Sequence, residues 1–109
     1  MNPPMEIFAA NVSHGARLLC ALLWALDEDG RAWVGPRVTD LSASLSQGRA
    51  TTRHHIRELE ALGAIRADVA VVWGRALPGW SLAIFTSTGW QFPSDETADG
   101  AQFVMQRGG

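Results

Sequence analysis

The chain has no lysine, a single cysteine and no excess of positive charge: its net charge is -2 at pH 7. With Cys20 alone, no intrachain disulfide can form, and the fold must be held by a packed core. The place of Cys20 inside an apolar run marks it as a small buried hydrophobe. No basic leader with a long apolar core opens the sequence, and the longest apolar stretch, Leu18 to Leu26, is too short to cross a bilayer. A soluble, cytoplasmic protein is expected. Catalytic signatures are also lacking. There is no glycine-rich phosphate loop and no recognisable set of nucleophile, base and orienting acid. His54 and His55 are adjacent and leave a helix about 100° apart; His14 is distant, and no cysteine or acid completes a set at metal-ligand spacing. Neither an enzyme, a metal site nor a cofactor is expected.

What is present is a chain of 109 residues with an ordinary hydrophobic share of 47%, enough for one domain with a buried core. Ser13 suits the N-cap of a first helix running to about Glu28, with Gly30 as its stop. Leu18, Leu19, Leu22, Leu23 and Leu26 share a broad face, which is expected to be the core face and leaves Cys20 and Trp24 on the other side. Trp33 and Val34 read as a short strand. A second helix starts either at Pro36 or after Thr39 and ends near Ser46, with Val38, Leu41 and Leu45 inward. Gln47 and Gly48 form a tight turn. A third helix runs from Arg49 to Leu62 and stops at Gly63.

The period then changes from 3.6 to 2. Ile65, Ala67, Val69, Val71 and Trp73 are expected on the inner face of a strand, alternating with Arg66, Asp68, Ala70 and Val72. Gly74 to Gly79 is rich in turn residues, and Trp80, Leu82 and Ile84 mark a returning strand. Residues 87–100 read as loop, and Ala101 to Met105 as a short apolar segment of open form. The expected division is an N-terminal arm (1–12), a domain (13–86) and a C-terminal extension (87–109), with a mostly helical α+β fold.

Leucines four apart at Leu41 and Leu45, a short turn, and then Ile56, Leu59, Leu62, Gly63 and Ile65 spell Ile-x-x-Leu-x-x-Leu-Gly-x-Ile. The segment resembles the second and third helices of bacterial winged helix-turn-helix regulators. Ala16 to Leu23 and Asp29 to Trp33 resemble a subgroup found in transcription regulators and plasmid or phage replication initiators. The resemblance covers roughly residues 13–86. It implies three helices, a C-terminal hairpin wing and a recognition helix at 49–62. Two positions depart from the pattern. Gln47 and Gly48 stand where an apolar residue and a Ser or Thr cap are usual, and Thr52 stands where Val or Ile is usual.

The residues carry a functional reading without the family. With Thr52, Ile56, Leu59 and Leu62 buried, Arg49, Ala50, Arg53, His54 and Arg57 point outward. Arg49, Arg53 and Arg57 form an i, i+4, i+8 column with no acid between them. Like charges at that spacing cost a helix about 0.2–0.5 kcal/mol per pair, and an anionic partner relieves the repulsion. Duplex DNA supplies phosphates and guanine edges that suit a guanidinium. The competing picture is a solvated arginine face partly paired with Glu60. Arg75 is a candidate wing contact, with a plain hairpin loop as the alternative. Two functions stay open: sequence-specific duplex DNA binding by a small regulator or a replication or partition factor, and a winged-helix module for protein interaction. A homodimer is expected, with Cys20 and Trp24 of the first helix at the interface. The alternative cover for Trp24 is intramolecular, from Met5, Ile7 and Phe8 or from Phe103 to Met105.

Overall fold

A computed structural model of the chain describes residues 2–93 and the backbone of Val104–Arg107. Three α-helices, α1 (His14–Leu26), α2 (Val38–Ser44) and α3 (Arg49–Leu62), pack with an antiparallel sheet. A short 3-10 turn, Met5–Phe8, precedes α1. Strands β1 (Trp33–Val34), β2 (Ile65–Val72), β3 (Arg75–Leu82) and β6 (Val104–Arg107) form the sheet in the order β1-β3-β2-β6. A separate hairpin joins β4 (Ile84–Thr86) to β5 (Gly89–Gln91). The chain is thus α+β, with three helices and a small antiparallel sheet.

Helix α1 begins where the sequence indicates: the Ser13 hydroxyl accepts the Ala16 amide at 3.2 Å, which satisfies one orphan donor. It ends earlier than expected, at Leu26, because the buried Asp27 carboxylate turns back to accept the Arg31 and Ala32 amides, each at 3.0 Å. The buried face also differs. It is Ala16, Leu19, Cys20, Leu23 and Trp24, while Leu18 and Leu26 are exposed. Two overlapping stripes fit one helix here, and both contain Leu19 and Leu23. The structure buries the one with the small residues Ala16 and Cys20, and Ile7 from the N-terminal turn joins the same core. Cys20 and Trp24 lie inside a single chain, so they form no surface for a second copy, and their assignment to a dimer interface is withdrawn.

Helix α2 starts at neither expected point but at Val38, where the Asp40 carboxylate reaches back to the Arg37 amide at 3.1 Å. It closes in a Schellman pattern: Ser46 N–H donates to Ala43 O and Gln47 N–H to Ser42 O, with Ser46 left-handed at φ +53°. Gly63 closes α3 in the same way, at φ +90°, with Gly63 N–H to Glu60 O and Ala64 N–H to Leu59 O. There the left-handed position carries the expected glycine.

The alternation read in β2 holds at Ile65 and then reverses. Ala67 is exposed, whereas Asp68 and Ala70 are buried. Residues facing each other across an antiparallel pair share a side of the sheet. Ile65, opposite Leu82, and Val34, opposite Trp80, lie on the side joined to the helical core. On the other side Asp68 accepts from Ser81 Oγ at 2.8 Å and from Arg66 Nε at 3.3 Å, and the Arg66 guanidinium lies 4.2 Å from the Phe92 ring centre. A Cβ on Gly79 would collide with the Trp33 indole, which therefore covers this side. The second face of the sheet thus has cover of its own, and a buried carboxylate, bonded to a hydroxyl and to a half-buried guanidinium, sits where strand alternation calls for solvent.

Beyond Leu82 the sequence reading needs further correction. Ile84 is exposed, and part of the expected loop is strand β5, whose Trp90 packs against the core and meets Phe85 edge-on at 5.2 Å. Strand β6 pairs with β2 from Asp68↔Arg107 to Val71↔Val104. Of the expected apolar segment, residues 101–103 lie outside the described residues, as do the acids of the C-terminal stretch.

The α2–α3 seam contains one fully buried polar pair. Ser42 Oγ donates to Thr52 Oγ1 at 2.8 Å, and Thr52 Oγ1 donates to Gly48 O at 3.0 Å. Thr52→Val should cost about 1–3 kcal/mol by orphaning the Ser42 hydroxyl. Adding Ser42→Ala should recover part of that loss. Urea unfolding of the two single variants and the double gives the coupling, and strictly additive losses would show that the pair does not act as a unit. Burial pushes the Cys20 thiol pKa up to about 12. Alkylation at mildly alkaline pH should therefore proceed only at the rate of unfolding; labelling of the native protein at the rate of a free thiol would contradict this burial.

Candidate nucleic-acid interface

Helix α3 is held on its inner face and along the flank that faces α1. Thr52, Ile56 and Leu59 are buried. On one flank the His55 ring lies against Gly15 of α1, where a Cβ would collide with it. One turn on, on the same flank, Glu58 takes both donors of the α1 N-cap: Ser13 N–H at 3.0 Å and Ser13 Oγ at 2.6 Å. Ser13 thereby accepts from its own helix and donates to α3, and the two helices are joined at a fixed height.

The outward face is Arg49, Ala50, Arg53, His54 and Arg57, all exposed. Successive arginines stand four residues and so about 6 Å apart along the axis. Among the described residues, none of these three guanidiniums makes an ion pair or hydrogen bond. Glu60 does not pair with the column, and Glu58 is turned toward Ser13. His54 is different: its Nε2 lies 3.8 Å from Glu58 Oε2 and its ring leans on His55. Its outer edge stays solvent-accessible, but part of its polarity faces the protein. At the start of α3, Gly48 has no side chain to cap the first amides.

The hairpin places Arg75 differently from expectation. The turn is Trp73-Gly74, with Val72 directly opposite Arg75. Arg75 opens β3 beside the tip, exposed and without an ion pair among the described residues. Ala76, Leu77 and Pro78 belong to the strand. Trp73, expected inside, is 96% exposed and was the residue missed. Its signal was the Trp-Gly pair between two runs of period 2, obscured by the Pro78-Gly79 pair that also reads as a turn. A groove of about 800 Å³ lies between α2 and the hairpin, lined by Trp33, Pro36, Val38, Leu77 and Trp80 among others, and no α3 residue lines it. Among the described residues no group of three or more His, Cys, Asp or Glu is placed to hold a metal ion, and no helix is long and apolar enough to cross a membrane.

Comparison with protein-family models, with curated proteins and with solved structures finds no match. The functional reading therefore rests on the residues themselves: a helix held against α1 and α2 whose free face carries three guanidiniums without partners among the described residues.

The hydrogen bonds from the Ser13 hydroxyl and amide, the first named being the stronger cause, hold the Glu58 carboxyl below its ordinary pKa. Glu58 therefore contributes stability that is fully present above the unfolded value of about 4.3 and is lost as pH falls through the lower folded value. Glu58→Gln should lower stability at neutral pH and flatten the loss between about pH 5 and pH 3. Urea unfolding of both proteins across that range measures it; parallel acid limbs would mean that Glu58 is not the linked group.

Proposed function

We propose that this chain is a winged helix-turn-helix protein that binds duplex DNA sequence-specifically through the outward face of α3. In this reading it is a small regulator of transcription, or a replication or partition factor, and not an enzyme. The observation that carries the proposal is the Arg49, Arg53, Arg57 column, exposed and without partners among the described residues, on a helix fixed along its inner face and its α1 flank. Such a face keeps about 0.2–0.5 kcal/mol of repulsion per pair, which an array of phosphates removes. A rigid helix also presents its guanidiniums without the ordering cost that flexible segments bear on binding. Arg53, in the middle, is the candidate for a bidentate guanine contact. Arg49 and Arg57 flank it, Ala50 permits close approach near the helix start, and the uncapped first turn suits a phosphate. The hairpin is the wing, with Arg75 as its cation.

The test is a titration of labelled duplexes, first selected from random sequence, at several salt concentrations. Affinity should fall with a log–log slope of about -0.9 for each phosphate contact. Arg53→Ala should cost about 1–3 kcal/mol on the selected site and less on random duplex. Arg75→Ala should weaken both alike. If no duplex is bound even at low salt, DNA binding is excluded and a protein-interaction module takes its place. Equal losses on both duplexes for Arg53→Ala would reduce Arg53 to a phosphate contact.

A further inference from the structure

The tip of the β2–β3 hairpin consists of Trp73 and Gly74, with φ of +54° and +74°. Val72 and Arg75 pair across them, so both central residues of a two-residue turn are left-handed, the geometry of a type I′ turn. Asparagine or glycine is the usual first residue, because an L side chain of any bulk strains the backbone there. Tryptophan accepts that strain and gains no packing in return. Its side chain is 96% exposed, whereas Trp24 is buried and Trp33, Trp80 and Trp90 are half-buried. Strain held at a position with no use to the fold points to a contact outside it.

The surroundings of Trp73 indicate the kind of contact. Gly74 has no side chain, and the space beside it is open. Arg75 follows, exposed and without an ion pair among the described residues. The tip is thus a flat aromatic plate next to one guanidinium, at the end of the β2–β3 hairpin and beyond the last pairing with β6, at Val71. A base step in nucleic acid offers both complements, a π face and a phosphate on the adjoining backbone.

We propose that Trp73 is a stacking wedge: its indole inserts at a base step of the duplex held by α3, and Arg75 holds the adjoining phosphate. This rests on the duplex-binding reading and adds to it a recognition mode that reads how easily a step unstacks rather than which bases form it. A wedge must open the step it enters, so a duplex with one step already weakened is the better ligand.

The experiment compares a short duplex with the same duplex carrying one central mismatched pair, at low salt. It uses the wild type, Trp73→Asn and Trp73→Phe. Asparagine suits the left-handed position, so Trp73→Asn should melt at or above the wild-type temperature. The wild type should prefer the mismatched duplex by about ten-fold. Trp73→Asn should lose that preference and bind the mismatched duplex about ten-fold more weakly. Trp73→Phe should keep most of both. If Trp73→Asn binds both duplexes like the wild type, the wedge is overturned and duplex binding stands. If the wild type binds neither, duplex binding fails and the wedge fails with it. If the wild type sediments as a larger species than Trp73→Asn while DNA binding is unchanged, the indole is a protein contact and the proposal is wrong.

Discussion

The hydrogen bond between Ser42 and Thr52 fixes how α2 sits on α3, and the presentation of the arginine face depends on it. An all-apolar seam tolerates small slides and rotations, because dispersion contacts are numerous and weakly directional. A hydroxyl pair at 2.8 Å inside the seam resists both, since a shifted helix would leave the buried Ser42 hydroxyl without its acceptor. Thr52 also bonds back to the Gly48 carbonyl, tying the register of α3 to the turn before it. The departure from Val or Ile at this position therefore does not loosen the turn; it exchanges shape complementarity for a directional lock. Glu58 on Ser13 does the same for α1. Two polar contacts, one to each neighbouring helix, orient the helix proposed to read DNA.

How much of this was legible in the sequence varied with how many solutions each pattern allowed. Helix α3 was read correctly in its limits, stop and outward residues, because Thr52, Ile56 and Leu59 define one stripe and Gly63 has one good use. Helix α1 was not, because its apolar residues exceed one face. Five leucines outweighed Ala16, Cys20 and Trp24, although small residues let helices approach closely. Strand β2 misled for another reason: alternation assumes one wet face, and here Trp33 and Phe92 cover the face that carries Asp68 and Arg66. The roles of Ile7 and of β6 depend on contacts far apart in the chain, which no local period reports.

The candidate site divides along the same line. The arginine column is a local property of one helix and was visible at once. Its lack of partners among the described residues is a tertiary fact, since Glu60 and Glu58 both lay within reach by spacing alone. Trp73 was hidden because its turn competes with a second, more conventional turn sequence a few residues on. Trp73 shares a positive φ with Ala32 and Ser46 among the described residues, and local rules place it inside the strand because its bulk and apolarity suit that position better than a left-handed turn.

Strand β6 has a consequence for how the protein behaves in crowded solution. It occupies the side of β2 that β3 leaves open, along Asp68 to Val71. Without it, those residues would show a row of unpaired amides and carbonyls beside an apolar strand, a template on which neighbouring molecules add edge to edge. The last described strand of the chain is therefore a guard on colloidal behaviour as much as a part of the fold. Shortening the chain before Val104 would be paid in solubility before it was seen in the helices.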